Sequence, residues 1–213
     1  MGIKKEIINK PCAIVCGGEI KDINWLTNEL QKYNFILAAD SGYDWCKKCG
    51  VTPNLVIGDF DSINDSIESS VKTLKFPIKK DETDFSLCLQ FLIENGVKLV
   101  DVFGANGGRI DHTLGAILSI VEAYDEGINS TIKTETSSMF IVGESVTLQK
   151  AEGYVSIFAV GGDASCVTLE GFEYPLNNFN LKCSSPLGVS NKIVSNTAKI
   201  TLKSGKLLVI LQK

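Results

Sequence analysis

The chain has 213 residues, of which 44% are hydrophobic and 22% charged, and its formal net charge is -4. This length can bury the core of one large domain or of two small ones. The slight negative charge, without any block of lysine and arginine, argues against nucleic acid as the main partner. No apolar run is long enough to cross a membrane.

The first residues and the cysteines indicate a reducing compartment. Charged residues near Met1 are not followed by the apolar core of a signal peptide, so we expect a cytoplasmic protein. The chain has seven cysteines, an odd number, so we expect free thiols. Cys46 and Cys49 have the spacing of a redox or zinc pair. Because their predicted place is the end of a helix, and no second pair follows, we interpret them as structural thiols.

Up to about residue 128, short apolar runs alternate with stretches of helical periodicity. This alternation predicts a mainly parallel sheet covered by helices. Strands are predicted at 13–16, 35–39, 54–58, 71–76 and 97–103. Helices are predicted over 23–33, around 45, and over 85–93 and 110–121.

After about residue 129 the pattern changes to short β-rich runs separated by Gly, Asn and Ser turns. These runs cover 130–134, 138–142, 145–149, 154–160, 166–170, 192–202 and 206–211. They predict an antiparallel sandwich or barrel, with residues 203–206 as a hairpin turn between the last two strands. We therefore expect two domains, residues 1–128 and 129–213.

Aspartates follow several predicted strands. Asp40 ends the strand at 35–39, Asp59 and Asp61 end the strand at 54–58, and Asp84 follows later. Carboxylates this close repel each other unless a cation or a proton lies between them. The pattern predicts a shared site for a divalent metal and phosphates. The alternative is helix capping, which suits Asp22 in the first helix and is open for Asp84.

A glycine-rich segment, residues 104–109, lies between the strand at 97–103 and the next helix. Glycines allow close approach of a phosphate, and Arg109 adds a positive charge. The alternative is a plain turn that needs positive φ angles. Neither the P-loop pattern nor the dinucleotide-binding fingerprint is present. His112, the only histidine, is expected to be a packing or capping residue rather than an acid–base group.

Five short segments are informative in their order and spacing, namely Asp40–Gly42, Pro53–Ser62, Lys80–Asp84, Phe103–Leu114 and Gly188–Asn191. Together they resemble the thiamine pyrophosphokinase family over nearly the whole chain. The resemblance implies a Rossmann-like α/β nucleotide domain followed by a β-sandwich that binds thiamine. It also implies a homodimer with active sites between subunits.

The implied reaction is attack of the thiamine hydroxyl on the β-phosphorus of ATP, which gives thiamine diphosphate and AMP. The resemblance assigns Mg²⁺ to Asp59, Asp61 and Asp84, which with Arg109 and Asp111 form the catalytic set. It assigns nucleotide binding to Asp40, Ser41, Gly42, Thr83, Gly104, Gly107, Gly108 and Arg109. It assigns thiamine binding to Asp111, Ser190 and Asn191.

Two other functions remain open at this point. Asp59 and Asp61 after a strand also resemble the haloacid-dehalogenase phosphatases, in which Asp59 would be the nucleophile. A non-catalytic sensor that binds thiamine or a nucleotide is the second alternative. Some members of the resembled family place a tryptophan over thiamine near the C-terminus, but residues 207–213 contain no aromatic side chain.

Overall fold

The computed structural model describes residues 11–64, 66–77 and 82–213, and the chain divides into two compact units after Glu135. The predicted division after residue 128 lies earlier, because the strand at Asn129–Lys133 pairs in parallel with a strand of the first unit. Lys80 and Asp81, within the third resembling segment, lie outside the described residues. No helix within the described ranges is long and apolar enough to cross a membrane.

The first unit is a parallel sheet with helices. Its strands are β1 Cys12–Val15, β2 Phe35–Ala39, β3 Leu55–Gly58, β4 Thr73–Lys75, β5 Leu99–Phe103 and β6 Asn129–Lys133. Its helices are α1 Ile23–Leu30, α2 Gly42–Lys48, α3 Asp84–Glu94 and α4 Ile110–Asp125. The strand order is β4-β3-β2-β1-β5-β6, and every neighbouring pair is parallel.

This strand order reverses direction at β1. From β1 the chain builds one half of the sheet outward through β2, β3 and β4, and then returns to β5 on the other side. In an open parallel sheet, the strand ends at such a reversal diverge and leave a crevice for a ligand. The crevice is therefore expected where Val15 and Phe103, paired neighbours at the ends of β1 and β5, lead into their loops.

The sequence explains why the central strands are buried. Strands β1, β2 and β3 are apolar along their whole length, and all their residues are buried. Helix α1 begins as predicted, because the Asp22 carboxylate accepts hydrogen bonds from the backbone N–H groups of Asn24 and Trp25. The Trp25 and Tyr33 rings both pack edge-on against Phe103, and each ring centroid lies 5.7 Å from that of Phe103.

The second unit, Thr136–Lys213, contains two antiparallel sheets. Its strands are β7 Ser137–Val142, β8 Ser145–Gln149, β9 Tyr154–Ala159, β10 Ala164–Glu170, β11 Leu176–Leu181, β12 Thr197–Thr201 and β13 Leu207–Gln212. Strand β13 lies between β7 and β9, and the other sheet has the order β11-β10-β12-β8. Apolar side chains from both sheets form one core, which includes Val167, Ile200 and Val209. The predicted fold class is confirmed.

The second unit differs from the sequence prediction in three places. Strand β11 was not expected, because its polar and largely exposed residues show no apolar alternation. Residues 203–206 do not form a hairpin turn, since β12 and β13 belong to different sheets. Ser204 instead forms an isolated antiparallel bridge with Ser165, the second residue of β10. The predicted strand over 192–202 is also shorter, and begins only at Thr197.

Replacement of Gly42 by alanine should destabilise the first unit. An added Cβ would lie 1.9 Å from the backbone oxygen of Val15, so α2 would have to move away from β1. We expect a loss of roughly 1–3 kcal/mol in the free energy of unfolding, measured by urea denaturation. Gly115→Ala is the matched control. Gly115 lies inside α4, and a Cβ added there would meet no neighbouring atom within 4 Å. This variant should therefore gain about 0.5–1 kcal/mol in the free energy of unfolding. Equal stability of the two variants would contradict this packing.

Candidate active site

A cavity of about 520 Å³ lies at the expected crevice, and much of the predicted site lines it. Its walls come from the segments that follow β1, β2 and β5 and from the first turns of α3 and α4. The predicted residues on these walls are Asp40, Ser41, Thr83, Asp84, Gly104, Gly107, Gly108, Arg109 and Asp111. Gly42 does not line the cavity. It is buried behind Ser41 and serves the close packing described above.

Three carboxylates form a cluster beside this cavity. Asp40, Asp59 and Asp61 each offer an oxygen, and these oxygens all lie within 4.8 Å of one another. Neighbouring groups fix their orientation, because the Phe60 N–H donates to Asp40 Oδ1 at 3.1 Å and the Asp61 N–H donates to Asp59 Oδ1 at 3.1 Å. The Ser62 hydroxyl donates to Asp61 Oδ1 at 2.9 Å. Carboxylate oxygens at this spacing fit a hard divalent cation such as Mg²⁺.

Asp40 is held in an unfavourable environment. It is only 8% exposed, and its backbone has a φ of 46°, in the left-handed region that few non-glycine residues adopt. Burial raises the pKa of its carboxyl group, and the negative charges of Asp84 and Asp59 raise it further. A bound cation would relieve this repulsion, so the cluster is a candidate cation site.

Asp84 lies close enough to Asp40 for its charge to raise the pKa of that carboxyl group, and its predicted role as a metal ligand stays a prediction. It is the first residue of α3 and lies on the cavity wall, but it is outside the three-carboxylate cluster. It does not cap the helix, because the N-cap is Thr83, whose hydroxyl accepts the N–H of Ser86 at 3.1 Å. Asp40, which the sequence suggested as a nucleotide residue, joins Asp59 and Asp61 in the cluster instead.

The loops after β1 and β5 pack backbone against backbone. The Gly18 N–H donates to the Gly104 oxygen at 2.7 Å. A Cβ on Gly18 would lie 2.4 Å from that oxygen, and one on Gly104 would lie 2.4 Å from the oxygen of Cys16. Both loops face the cavity. Sequence reasoning missed Gly17 and Gly18, although a glycine pair directly after a strand was the same signal that identified residues 104–108.

Arg109 and Asp111 form an exposed ion pair at the start of α4. Arg109 Nε donates to Asp111 Oδ1 at 3.1 Å, and Nη2 donates to Oδ2 at 2.5 Å. Hydrogen bonding to Arg109 lowers the pKa of Asp111 to about 2, so this carboxylate is ionised at neutral pH and is a weak base while paired. An exposed pair of this kind contributes little to stability, so Arg109 can exchange it for a phosphate.

His112 differs from its prediction, since it is exposed on the cavity wall and neither packed in the core nor capping the helix. Its backbone N–H donates to Asp111 Oδ1 at 3.1 Å. The two remaining predicted residues, Ser190 and Asn191, belong to the second unit. There Ser190 is exposed and Asn191 is buried.

Clustered carboxylates and close-packed glycine loops at a reversal in a parallel sheet are typical of enzymes that bind phosphates through a divalent cation. Comparison with known proteins specifies the class further. Residues 26–132 match the family described as "Thiamin pyrophosphokinase, catalytic domain", and residues 145–207 match "Thiamin pyrophosphokinase, vitamin B1 binding domain".

Individual proteins agree with these matches over almost the full chain. A thiamine pyrophosphokinase of Bacillus subtilis is 31% identical over 210 residues, which cover 94% of this chain and 98% of that protein. Thiamin pyrophosphokinase 1 of Caenorhabditis elegans is 26% identical, covering 96% and 90%. The crystal structure of a Bacillus subtilis thiamine pyrophosphokinase superposes with a TM-score of 0.83 at 28% identity, covering 96% and 99%. The chain therefore belongs to the thiamine pyrophosphokinase family, whose members are diphosphotransferases.

The raised pKa of Asp40 predicts an unusual pH dependence of stability. In the metal-free folded protein the ionised form is disfavoured, so Asp40 costs stability above its folded-state pKa, and the cost disappears as the pH falls through that value. Asp40→Asn should therefore be more stable than the parent chain at about pH 8, and the difference should shrink toward about pH 4. Urea denaturation in EDTA measures both proteins.

Asp111→Asn is the control of opposite sign, because the pKa of Asp111 is lowered. Any stability that the parent chain has in excess of that variant should be present at neutral pH and should decrease only at acidic pH. If Asp40→Asn were no more stable than the parent chain at about pH 8, the electrostatic description of the cluster would be wrong.

Proposed function

We propose that this chain transfers a diphosphate group from ATP to the hydroxyl of thiamine, giving thiamine diphosphate and AMP. Family membership supports the reaction, and the observation that carries it is the three-carboxylate cluster beside a cavity walled by glycine loops. A diphosphate transfer requires many negative oxygens to be held together. These two features supply a cation site and backbone donors for them.

Mg²⁺ is the proposed metal, and Asp40, Asp59 and Asp61 are the residues that would hold it. Asp84 extends the acidic wall from α3. When bound, the ion neutralises charge on the transferred phosphates. This assignment keeps Asp59 and Asp61 from the sequence prediction, adds Asp40 as a ligand, and gives Asp84 a more distant place than the sequence suggested.

The chain's own groups would then position the two substrates. The backbone of residues 104–108 and the N-terminus of α4 face the phosphates, and Arg109 turns from Asp111 toward them. Ser41 and Thr83 line the nucleotide. The thiamine oxygen forms a bond to the β-phosphorus, the bond from that phosphorus to the oxygen that bridges it to the α-phosphorus breaks, and AMP leaves with that oxygen. Asp111 orients the hydroxyl and accepts its proton, because the hydrogen bond that lowers the pKa of Asp111 is lost once Arg109 has turned away.

The direct test is incubation of purified protein with ATP and Mg²⁺, with and without thiamine, followed by chromatography. We expect AMP and thiamine diphosphate in equal amounts, and only when thiamine is present. Phosphate release without thiamine would instead indicate a phosphatase with Asp59 as nucleophile. Binding of thiamine without AMP formation would indicate a sensor. Either result would overturn the proposal.

Asp61→Asn should leave the fold intact and reduce turnover by about 10²–10³-fold, since it removes one charge from the cluster. Asp61 is exposed, so the substitution disturbs no packing. Asp125→Asn, the same substitution at the end of α4, is the matched control and should turn over normally. Binding of Mn²⁺, followed by its electron paramagnetic resonance signal, should weaken in Asp61→Asn alone. Normal turnover at saturating Mg²⁺ would show that Asp61 is not a ligand.

We also propose that the enzyme is a homodimer. Helix α4 leaves Ile110, Leu114 and Leu118 exposed, at 86%, 56% and 58%. Their spacing of four residues puts them on one face of the helix, and an apolar stripe of this kind is typical of a surface that another protein covers. The second copy of the chain is the proposed occupant. A cytoplasmic location remains a prediction from the sequence.

Leu118→Arg should convert the protein to monomers, because a charged side chain would be buried in the proposed interface. Size-exclusion chromatography with light scattering measures the mass. Leu99→Arg is the matched control, since Leu99 is a leucine of comparable exposure, 68%, at the start of β5. An unchanged mass for Leu118→Arg, or a dimer lost equally in both variants, would argue against α4 as the interface.

A further inference from the structure

Helix α2 contacts several of the segments that surround the cavity. The Trp45 Nε1–H donates to the Gly18 oxygen at 2.9 Å, so the helix holds the loop after β1. The helix also begins directly after Asp40 and Ser41, and the backbone oxygen of Asp40 accepts the Tyr43 N–H at 3.0 Å. The start of α2 therefore links one carboxylate of the cluster to a loop that lines the cavity.

The same helix also holds the segment that follows Asp61. Asp44 Oδ2 accepts two hydrogen bonds from Asn64, one from Nδ2 at 2.7 Å and one from the backbone N–H at 3.2 Å. The hydroxyl of Tyr43, the preceding residue of the helix, accepts the N–H of Glu68 at 3.1 Å. Adjacent side chains of α2 thus hold the segment at two points. We call these two contacts, Asp44 with Asn64 and Tyr43 with Glu68, the α2 clamp.

Apolar packing alone does not fix the position of this segment. Ile63 and Ile67 are only partly buried against the core cluster that contains Tyr43. Both also line an open cavity of about 500 Å³, together with Thr73 of β4, the strand at the edge of the sheet. Part of the segment's surface therefore has no packing partner among the residues that the structure describes. The hydrogen bonds of the α2 clamp supply the constraint that these apolar contacts leave incomplete.

Asp44 is present at a cost to stability. Its Oδ1 is buried and has no hydrogen-bond partner among the described residues, although Oδ2 accepts two hydrogen bonds. A buried polar atom without a partner lowers the stability of the folded state. Two explanations account for a carboxylate here: its hydrogen bonds to Asn64, and the favourable position of a negative charge in the first turn of α2. An asparagine would keep an acceptor oxygen without the charge, so it separates the two explanations.

We propose that Tyr43 and Asp44 are positioning residues of the cation site, and that they act through the α2 clamp without touching the cation or the substrates. Neither of them lines the cavity. The α2 clamp fixes Asn64, which follows Asp61 closely in the chain, relative to the helix that begins beside Asp40. It therefore sets the separation between the carboxylate at the end of β2 and those that follow β3. The inference deepens the proposed function, because it rests on the cation site assigned there.

The first test measures Mn²⁺ binding to the protein without nucleotide, by electron paramagnetic resonance. Asp44→Ala should raise the Kd for Mn²⁺ by roughly tenfold, because residues that orient metal ligands from outside the coordination shell have effects of this size. Asp44→Asn keeps an oxygen that accepts from Asn64, so it should bind Mn²⁺ like the parent chain. If both variants weakened binding equally, the charge of Asp44 would be responsible and its role in the α2 clamp would be overturned.

Tyr43→Phe tests the other contact, since it removes only the hydroxyl that accepts from Glu68. The Kd for Mn²⁺ should again rise by roughly tenfold. Tyr33→Phe is the matched control, because it removes a hydroxyl that donates to Asp101 at 2.5 Å, and neither residue lines the cavity. This control should bind Mn²⁺ like the parent chain. Equal Kd values for Tyr43→Phe and Tyr33→Phe would overturn the role of Tyr43.

The second test observes the α2 clamp itself in metal-free protein, in EDTA. The backbone amides of Asn64 and Glu68 donate to the two clamp side chains. In the double variant Tyr43→Phe/Asp44→Ala, hydrogen exchange at both amides should be faster by roughly fivefold. Exchange within α4 should not change, which shows that the variant is folded. Unchanged exchange at Asn64 and Glu68 would show that the α2 clamp does not hold the segment.

Turnover distinguishes a positioning residue from a ligand. In Asp44→Ala every carboxylate of the cluster remains, so saturating Mg²⁺ should restore turnover close to that of the parent chain, whereas Asp61→Asn should stay slow. Turnover of Asp44→Ala that stayed equally low would mean that Asp44 acts on the reacting groups directly, contrary to this inference.

The outcomes for the parent chain separate this inference from the proposed function. A parent chain that binds no Mn²⁺ would overturn the cation site and the α2 clamp's role together. A parent chain that binds Mn²⁺ but forms no AMP would overturn the proposed reaction alone, and the Kd values of the variants would still decide this inference. If the parent chain is active and the variants keep its Kd for Mn²⁺, only the positioning role of Tyr43 and Asp44 is overturned.

Discussion

The first unit depends on one close contact, the approach of the loop after β1 to the loop after β5. The Gly18 N–H meets the Gly104 oxygen at 2.7 Å, and no side chain could fit at either position. These loops leave the two sheet halves where the strand order reverses, and both of them line the cavity. The loop after β5 leads directly into α4, which begins beside Arg109 and contains Asp111. Because glycine has no Cβ, it permits both this close packing and the close approach of a ligand.

The environment of Asp40 is a second constraint, and unlike the glycine contact it lowers the stability of the first unit. Asp40 is buried beside Asp59 and near Asp84, in a left-handed backbone conformation, and each of these conditions is unfavourable by itself. The surrounding sheet can offset the cost, because β1, β2 and β3 are fully buried. A cation bound as proposed above would relieve this repulsion, and the carboxylates would need little rearrangement to bind it. The stability lost in the free protein would then contribute to affinity for the ion.

The sequence predicts much of this arrangement, and the features that it does not predict have identifiable physical reasons. The apolar runs predicted every strand of the parallel sheet before β6, and aspartates after strands predicted an acidic site. The sequence could not show that Asp40 rather than Asp84 joins Asp59 and Asp61, because that depends on how neighbouring strands align. Strand β11 could not be predicted from the sequence, because its residues are largely polar and exposed and show no apolar alternation. Asn191 was recognised as important, yet its partner, Tyr174, lies 17 residues earlier and comes near only through folding.

The position of β13 has a consequence for synthesis of the chain. It is the last described strand in chain order, yet it lies between two earlier strands, hydrogen-bonded to β7 on one side and to β9 on the other. Until residues 207–212 have left the ribosome, β7 and β9 each have an unpaired edge and the core beneath them is open. Strand β9 is also the support of the turn at residues 188–191. The second unit therefore cannot mature stepwise during translation, whereas the sheet of the first unit has all its strands once β6 has emerged.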